Sequence, residues 1–190
     1  VCRQWRATMR RDARRALFLD RDGVINVDVG YLHLPEDCVF VDGIFELVRR
    51  AGKAGYDVFV VTNQAGIARG FYSEATFATF TAWLLQRFAA EGASITQVYH
   101  CPHHPTAGLG EYLTACACRK PAPGMLLAAQ REHAIDMARS AMIGDSATDM
   151  AAAASAGVGT RYLLGSAAPS AGEGCVRIAS LYDAIERLGI

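Results

Sequence analysis

The stretch Ala16-Leu-Phe-Leu-Asp-Arg-Asp-Gly-Val24 decides the fold. Four apolar residues run without alternation and stop on two acids and a glycine, the pattern of a buried parallel strand that delivers Asp20 and Asp22 to its carboxyl end. Two carboxylates this close repel unless a cation sits with them.

Outward from this strand the same grammar repeats. Asp57-Val-Phe-Val-Val61 reads as a second strand and runs into Thr62-Asn-Gln-Ala-Gly66. Further strands are expected at residues 95–99, 141–143 and 161–164, the fourth followed at once by Gly144-Asp145. Helical spacing separates them. Residues 43–54 carry Ile44, Leu47, Val48 and Ala51 on one side. Ser73 is placed to cap a helix whose Phe77, Phe80, Leu84 and Phe88 form a core stripe. Residues 123–133, 148–156 and 178–188 complete the set, the last as one terminal helix. The expectation is an α/β domain: a three-layer, Rossmann-like, mostly parallel sheet flanked by helices. It is capless, because no insertion is long enough to form a lid. The Ser-, Ala- and Gly-rich residues 165–174 read as a mobile loop.

In such sheets ligands bind off the carboxyl ends of strands. Asp20, Thr62 and Asp145 all follow strands, and Lys120 lies in the connection after the third. Together they fit Mg²⁺-dependent phosphoryl transfer. Asp20 binds the ion and attacks phosphorus, and Asp22 protonates the leaving oxygen and later deprotonates water. Asp145 completes the Mg²⁺ site, and Asp149, one helical turn on, ligates or orients a water. Thr62 offers a hydroxyl to phosphate oxygens, and Lys120 offers a cation to their charge.

A second cluster is of another kind. Cys101-x-His103 is followed, after twelve residues, by Cys116-x-Cys118. Two close ligand pairs joined by a loop suit a closed tetrahedral Zn²⁺ site, with His103 and His104 both offering an imidazole. A structural zinc there would fix a loop with little core of its own and aim Arg119 and Lys120. Cys38 and Cys175 read as plain thiols.

The residues Phe18-Leu-Asp-Arg-Asp-Gly23, Thr62-Asn63, Lys120-Pro121 and Gly144-Asp-Ser-Ala-Thr-Asp149 resemble the motifs of the haloacid dehalogenase-like phosphatases. Within that superfamily the resemblance is to the heptose bisphosphate phosphatases, carried by Asp20-Arg-Asp-Gly-Val-Ile-Asn-Val-Asp28, Thr62-Asn-Gln-Ala-Gly-Ile-Ala-Arg-Gly70, Cys101-Pro-His-His-Pro105 and Cys116-Ala-Cys-Arg-Lys-Pro-Ala-Pro-Gly-Met125. It covers residues 16–164. It implies Asp20 as nucleophile, Asp22 as proton donor, and Mg²⁺ on Asp20, Asp145 and the Asp22 carbonyl. It implies phosphate contacts from Thr62 and Lys120. Substrate contacts are implied from Asp28, Val29, Gly30, Tyr31, Asn63, Gln64, Ala65 and Arg119, and it selects His103 as the zinc imidazole. The family pattern has lysine directly after Gly-Asp, where this chain has Ser146, which is assigned to the substrate rim. The implied partner is a small sugar bisphosphate and the implied reaction removal of its 7-phosphate. Histidinol-phosphate phosphatase or another small sugar-phosphate phosphatase is the neighbouring alternative, and a non-catalytic metal-binding regulatory domain is the alternative of another class.

Composition frames these readings. Of 190 residues, 52% are hydrophobic and 20% charged, and the formal net charge is zero, so no nucleic-acid partner is expected. No apolar run approaches bilayer length, so no membrane partner is expected either. Residues 1–15 hold six arginines against one acid and read as a solvated basic arm ahead of a single domain, residues 16–190, with its metal loop at 101–118. Reduced cysteines point to the cytoplasm, and the lack of an exposed apolar stripe to a monomer.

Overall fold

The computed structural model describes residues 14–165 and 174–190. The arginine arm through residue 13, with Cys2, and the centre of the expected mobile loop lie outside the described residues.

Six strands form one parallel sheet in the order β3-β2-β1-β4-β5-β6. The strands are β1 (Arg15–Leu19), β2 (Tyr56–Asn63), β3 (Gln97–Cys101), β4 (Ala141–Gly144), β5 (Thr160–Leu164) and β6 (Val176–Ile178). The helices are α1 (Ile44–Lys53), α2 (Ala65–Ala68), α3 (Glu74–Ala90), α4 (Gly124–His133), α5 (Ala147–Ser155) and α6 (Leu181–Leu188). Both faces of the sheet are covered, which explains the continuous apolar runs. In β1, Leu17 and Leu19 pack with α1, α3 and α6, whereas Ala16 and Phe18 pack with α4 and α5. Period-two alternation sends neighbouring side chains to opposite layers. Phe18 stacks on Phe59 of β2 at 5.6 Å between ring centroids. The order of connection reverses between β1 and β4, which opens a crevice at their carboxyl ends.

Three boundaries differ most from expectation. The second strand, expected over 57–61, runs on through Asn63, so Thr62 lies within its end and pairs in register with His100 of β3. The third strand begins two residues late and ends on Cys101, because Cys101 pairs in register with Asn63 of β2 while Ile95 packs into the core ahead of the strand. The expected terminal helix at 178–188 is instead a three-residue edge strand, β6, followed by α6. Ser180 caps α6 in a reciprocal box with Asp183. Pairing of Val176–Ile178 with β5 is a long-range contact that local periodicity does not carry. The last arginines of the arm are not free: Arg14 pairs with Asp57 at 2.6 Å, and Arg15 lies over the Tyr56 ring and donates to the Ala54 carbonyl.

Phe18→Ala should lower unfolding free energy by about 3–5 kcal/mol through the cavity it leaves, whereas Ser180→Ala should cost about 1 kcal/mol through the lost cap. Urea denaturation of the two variants checks the order.

Candidate active site

Asp20 leaves β1 with its backbone N–H donating to Ile143 of β4. Its carboxylate meets the Lys120 ammonium at 2.8 Å and the Arg21 N–H at 2.7 Å, both on Oδ1. Lys120 is 3% exposed. Its Nζ also reaches Asp149 Oδ1 at 2.6 Å and donates to the Val61 carbonyl at 2.8 Å. Burial pulls the ammonium toward neutrality, but Asp20 and Asp149 outweigh it and hold its pKa above the usual lysine range.

Carboxylate oxygens of Asp20, Asp145 and Asp149 lie within 4.8 Å of one another. Burial lifts the Asp20 carboxyl to about 7, with Lys120 opposing and Asp149 adding to the rise. Burial, then the Asp149 charge, lifts Asp145 to about 6. Crowded acids with one ammonium between them suit an added cation. Two glycines permit this crowding. Gly23 has φ +83°, and a Cβ there would overlap the Asp145 carboxylate; a Cβ at Gly144 would overlap Asp149.

The Asp22 carboxylate stands outside that cluster. It accepts from Arg21 Nε and Nη2 at 3.1 and 2.9 Å, from Asn26 Nδ2 at 3.0 Å and from Gln64 Nε2 at 3.3 Å. Thr62 is buried, and its Oγ1 accepts from Gln64 Nε2 at 2.8 Å. Asn63 clamps the Lys120 backbone: its Oδ1 accepts from the Lys120 N–H and its Nδ2 donates to the Lys120 carbonyl, each at 3.0 Å.

Beside these groups is a cavity of about 370 Å³. It is bordered by the expected substrate residues Asp28, Gly30, Tyr31, Asn63, Gln64 and Ala65, together with Asp22, Arg21, Gly66 and Tyr72. Three expected substrate residues do not border it. Val29 is 54% exposed, Arg119 Nη1 donates to the His103 carbonyl at 3.2 Å, and the Ser146 hydroxyl caps α5 in a reciprocal box with Asp149. That box fixes Asp149. Sequence reading missed Arg21, Asn26 and Tyr72, although the first two lie inside the quoted opening motif. A Cβ at Gly66 would overlap the Tyr72 ring, which accounts for the glycine four residues after Thr62.

The Cys101, His103, Cys116 and Cys118 donor atoms also lie within 4.8 Å of one another. The sulfurs are 3.2–3.4 Å apart, and His103 Nδ1 is 3.6 Å from Cys118 and 3.8 Å from Cys101. A tetrahedral Zn²⁺ site has donor–donor edges of about 3.8 Å at the usual Zn–S length, so the four residues fit a closed site. Burial would raise the Cys116 thiol, but hydrogen bonds from Cys118, the Arg119 backbone and Cys101 bring it down to about 7.

A HAD-hydrolase-like family model matches residues 117–168. A HAD-like phosphatase from Mesorhizobium loti superposes with a TM-score of 0.85 at 36% identity, over 93% of this chain and 85% of that one. Fold and site together define a phosphoric monoester hydrolase of the HAD superfamily. The D-glycero-beta-D-manno-heptose-1,7-bisphosphate 7-phosphatase of Vibrio cholerae is 47% identical over 91% of this chain and 93% of its own length. The D-glycero-alpha-D-manno-heptose-1,7-bisphosphate 7-phosphatase of Burkholderia mallei is 53% identical over 79% of each chain. The D,D-heptose 1,7-bisphosphate phosphatase of B. bronchiseptica, solved with magnesium and phosphate, has a TM-score of 0.79 at 31% identity, over 92% and 97% of the two chains. The chain belongs to the D-glycero-D-manno-heptose-1,7-bisphosphate 7-phosphatase family.

Asp149→Ala should leave Lys120 buried with one carboxylate instead of two and destabilise the protein by about 3–5 kcal/mol, read as a lowered melting temperature.

Proposed function

We propose that this chain removes the 7-phosphate of D-glycero-D-manno-heptose 1,7-bisphosphate through an aspartyl-phosphate on Asp20. The observation that carries the reading is the Asp20–Lys120–Asp149 arrangement. Lys120 and the Arg21 N–H both engage Oδ1 of Asp20, and Oδ2 is the oxygen that attacks. The bond from phosphorus to the C7 oxygen breaks, and that oxygen takes a proton from Asp22. Water then attacks the aspartyl-phosphate, gives a proton to Asp22, and inorganic phosphate departs, leaving Asp20 free. Lys120 and Thr62 hold phosphate oxygens, while Asp149 holds Lys120.

Asp20, Asp145 and the Asp22 carbonyl would hold Mg²⁺, which supplies charge neutralisation for the phosphate oxygens. The fit rests on the crowded acids and their raised pKa values. Asp28, Gly30, Tyr31 and Ala65 would face the sugar, with Val29, Arg119 and Ser146 at its outer edge. The four-ligand loop would hold a structural zinc, with no role in bond breaking. The product would feed heptose into a surface glycan such as lipopolysaccharide, in the cytoplasm. No helix among the described residues is long and apolar enough to cross a membrane.

Asp20→Asn should still fold, with a lowered melting temperature because Lys120 keeps only the Asp149 carboxylate, and should release no phosphate; undiminished release from this variant would remove the nucleophile. Rates on both heptose bisphosphate anomers, histidinol phosphate and an aryl phosphate should favour a heptose substrate, and a faster rate on histidinol phosphate would overturn the substrate. Metal analysis of protein purified without chelator should find one zinc per chain, lost in Cys118→Ser. A value near zero in the unaltered protein would refute the structural metal.

A further inference from the structure

Gln64 borders the cavity, yet its side-chain amide is turned inward. The residue is 2% exposed. Its Oε1 accepts from the Tyr72 hydroxyl at 2.5 Å, and its Nε2 donates to Thr62 Oγ1 at 2.8 Å and to Asp22 Oδ2 at 3.3 Å. The orientation of the amide is set by chemistry. Whenever Asp22 is ionised, as after it has given up its proton, a flipped amide would set its oxygen against a carboxylate with no proton to share, so the orientation found is the one that serves both states of Asp22. In this orientation Tyr72 is the donor to Oε1. Burial, against the opposing charge of Arg21, lifts its phenol to about 12 and keeps the proton in place. The Tyr72 ring is seated on Gly66 and stacked on His33 at 4.8 Å.

On the other side of Asp22 is Arg21, 2% exposed. Its Nε and Nη2 both reach the carboxylate, Nη2 also donates to the Leu32 carbonyl, and the guanidinium carbon lies 5.8 and 5.2 Å from the ring centroids of Phe77 and Phe80. A surface arginine would be free to move, but this one is set in a core.

We propose that Gln64, oriented by Tyr72, is a positioning residue that ties the Asp22 carboxylate to the phosphate cradle at Thr62, while Arg21 clamps the same carboxylate from behind. This rests on the assignment of Asp22 as the proton donor. The donor has to meet the leaving oxygen of a phosphate whose other oxygens lie at Thr62. One amide bonded to both groups sets that separation before substrate arrives. Gln64 thus acts on the proton transfer through Asp22 rather than by gripping the sugar.

The test uses leaving groups. A sugar alkoxide needs a proton as the P–O bond breaks, whereas a nitrophenolate leaves readily without one. The value of kcat/KM reports the steps up to that departure. Gln64→Leu, Tyr72→Phe and Asp22→Asn are compared on heptose bisphosphate and 4-nitrophenyl phosphate, with melting temperature as the check on folding. Gln64→Leu should lower kcat/KM for the sugar phosphate about 10–100-fold more than for the aryl phosphate. Tyr72→Phe, which removes one hydroxyl and keeps the ring on Gly66, should show a smaller difference of the same sign, and it carries the test if Gln64→Leu does not fold. Equal losses on the two substrates, or none, in variants that fold while Asp22→Asn discriminates between them, would overturn the role of Gln64 alone. Equal losses in Asp22→Asn would overturn the proton-donor assignment and the inference with it.

Discussion

The ammonium of Lys120, sealed between Asp20, Asp149 and the Val61 carbonyl, is the constraint around which the catalytic edge is arranged. A cation at 3% exposure is tolerated only where opposite charge and hydrogen bonds surround it. Its partners come from three elements: the end of β1, the second strand and the first turn of α5. None can drift without exposing or orphaning a charge. Asn63 fixes the lysine backbone through a two-point clamp, so both ends of the residue are held. On the proposed reaction a phosphate entering here would meet charges already in place, which is how a buried site favours a transition state without rearranging.

The Cys/His loop and the glycines serve the same arrangement from outside. Cys101 closes β3, and its carbonyl accepts from the Gln64 N–H at 2.8 Å. Cys118 lies two residues before Lys120, and the Arg119 side chain returns to the His103 carbonyl. The four-ligand cluster is therefore tied by short chain paths to both walls of the site. On the inner side, Gly23, Gly66 and Gly144 are places where a single methyl would collide with Asp145, Tyr72 and Asp149. Their small size lets catalytic groups approach, a packing role distinct from turn-making.

Much of this was legible along the chain because strand ends deliver chemistry at fixed places. Asp20, Thr62 and Asp145 each follow an apolar run, so their convergence could be read from topology alone. Neither β6 nor the Ser180 cap was legible, since three residues at a sheet edge have too little periodicity to stand out and the helix expected over 178–188 ran through both. Asn63 and Gln64 read as substrate contacts because they sit in the right loop, but their amides turn to Lys120, Thr62 and Asp22. Ser146, read as a residue of the substrate rim, also caps α5 in a reciprocal box with Asp149, a contact that residue type alone did not give.

By itself the sequence determined the first five strands of the sheet, the order of the motifs and the two sets of side chains that could hold a metal, because these follow from hydrophobic period, residue type and spacing. Tertiary structure alone decided which polar side chains face the cavity and which brace one another. That choice depends on hydrogen bonds that residue type does not reveal, such as Tyr72 to Gln64 and Asn63 to Lys120, and on the burial of Gln64, Tyr72 and Lys120, which makes their polar groups costly to leave unpaired.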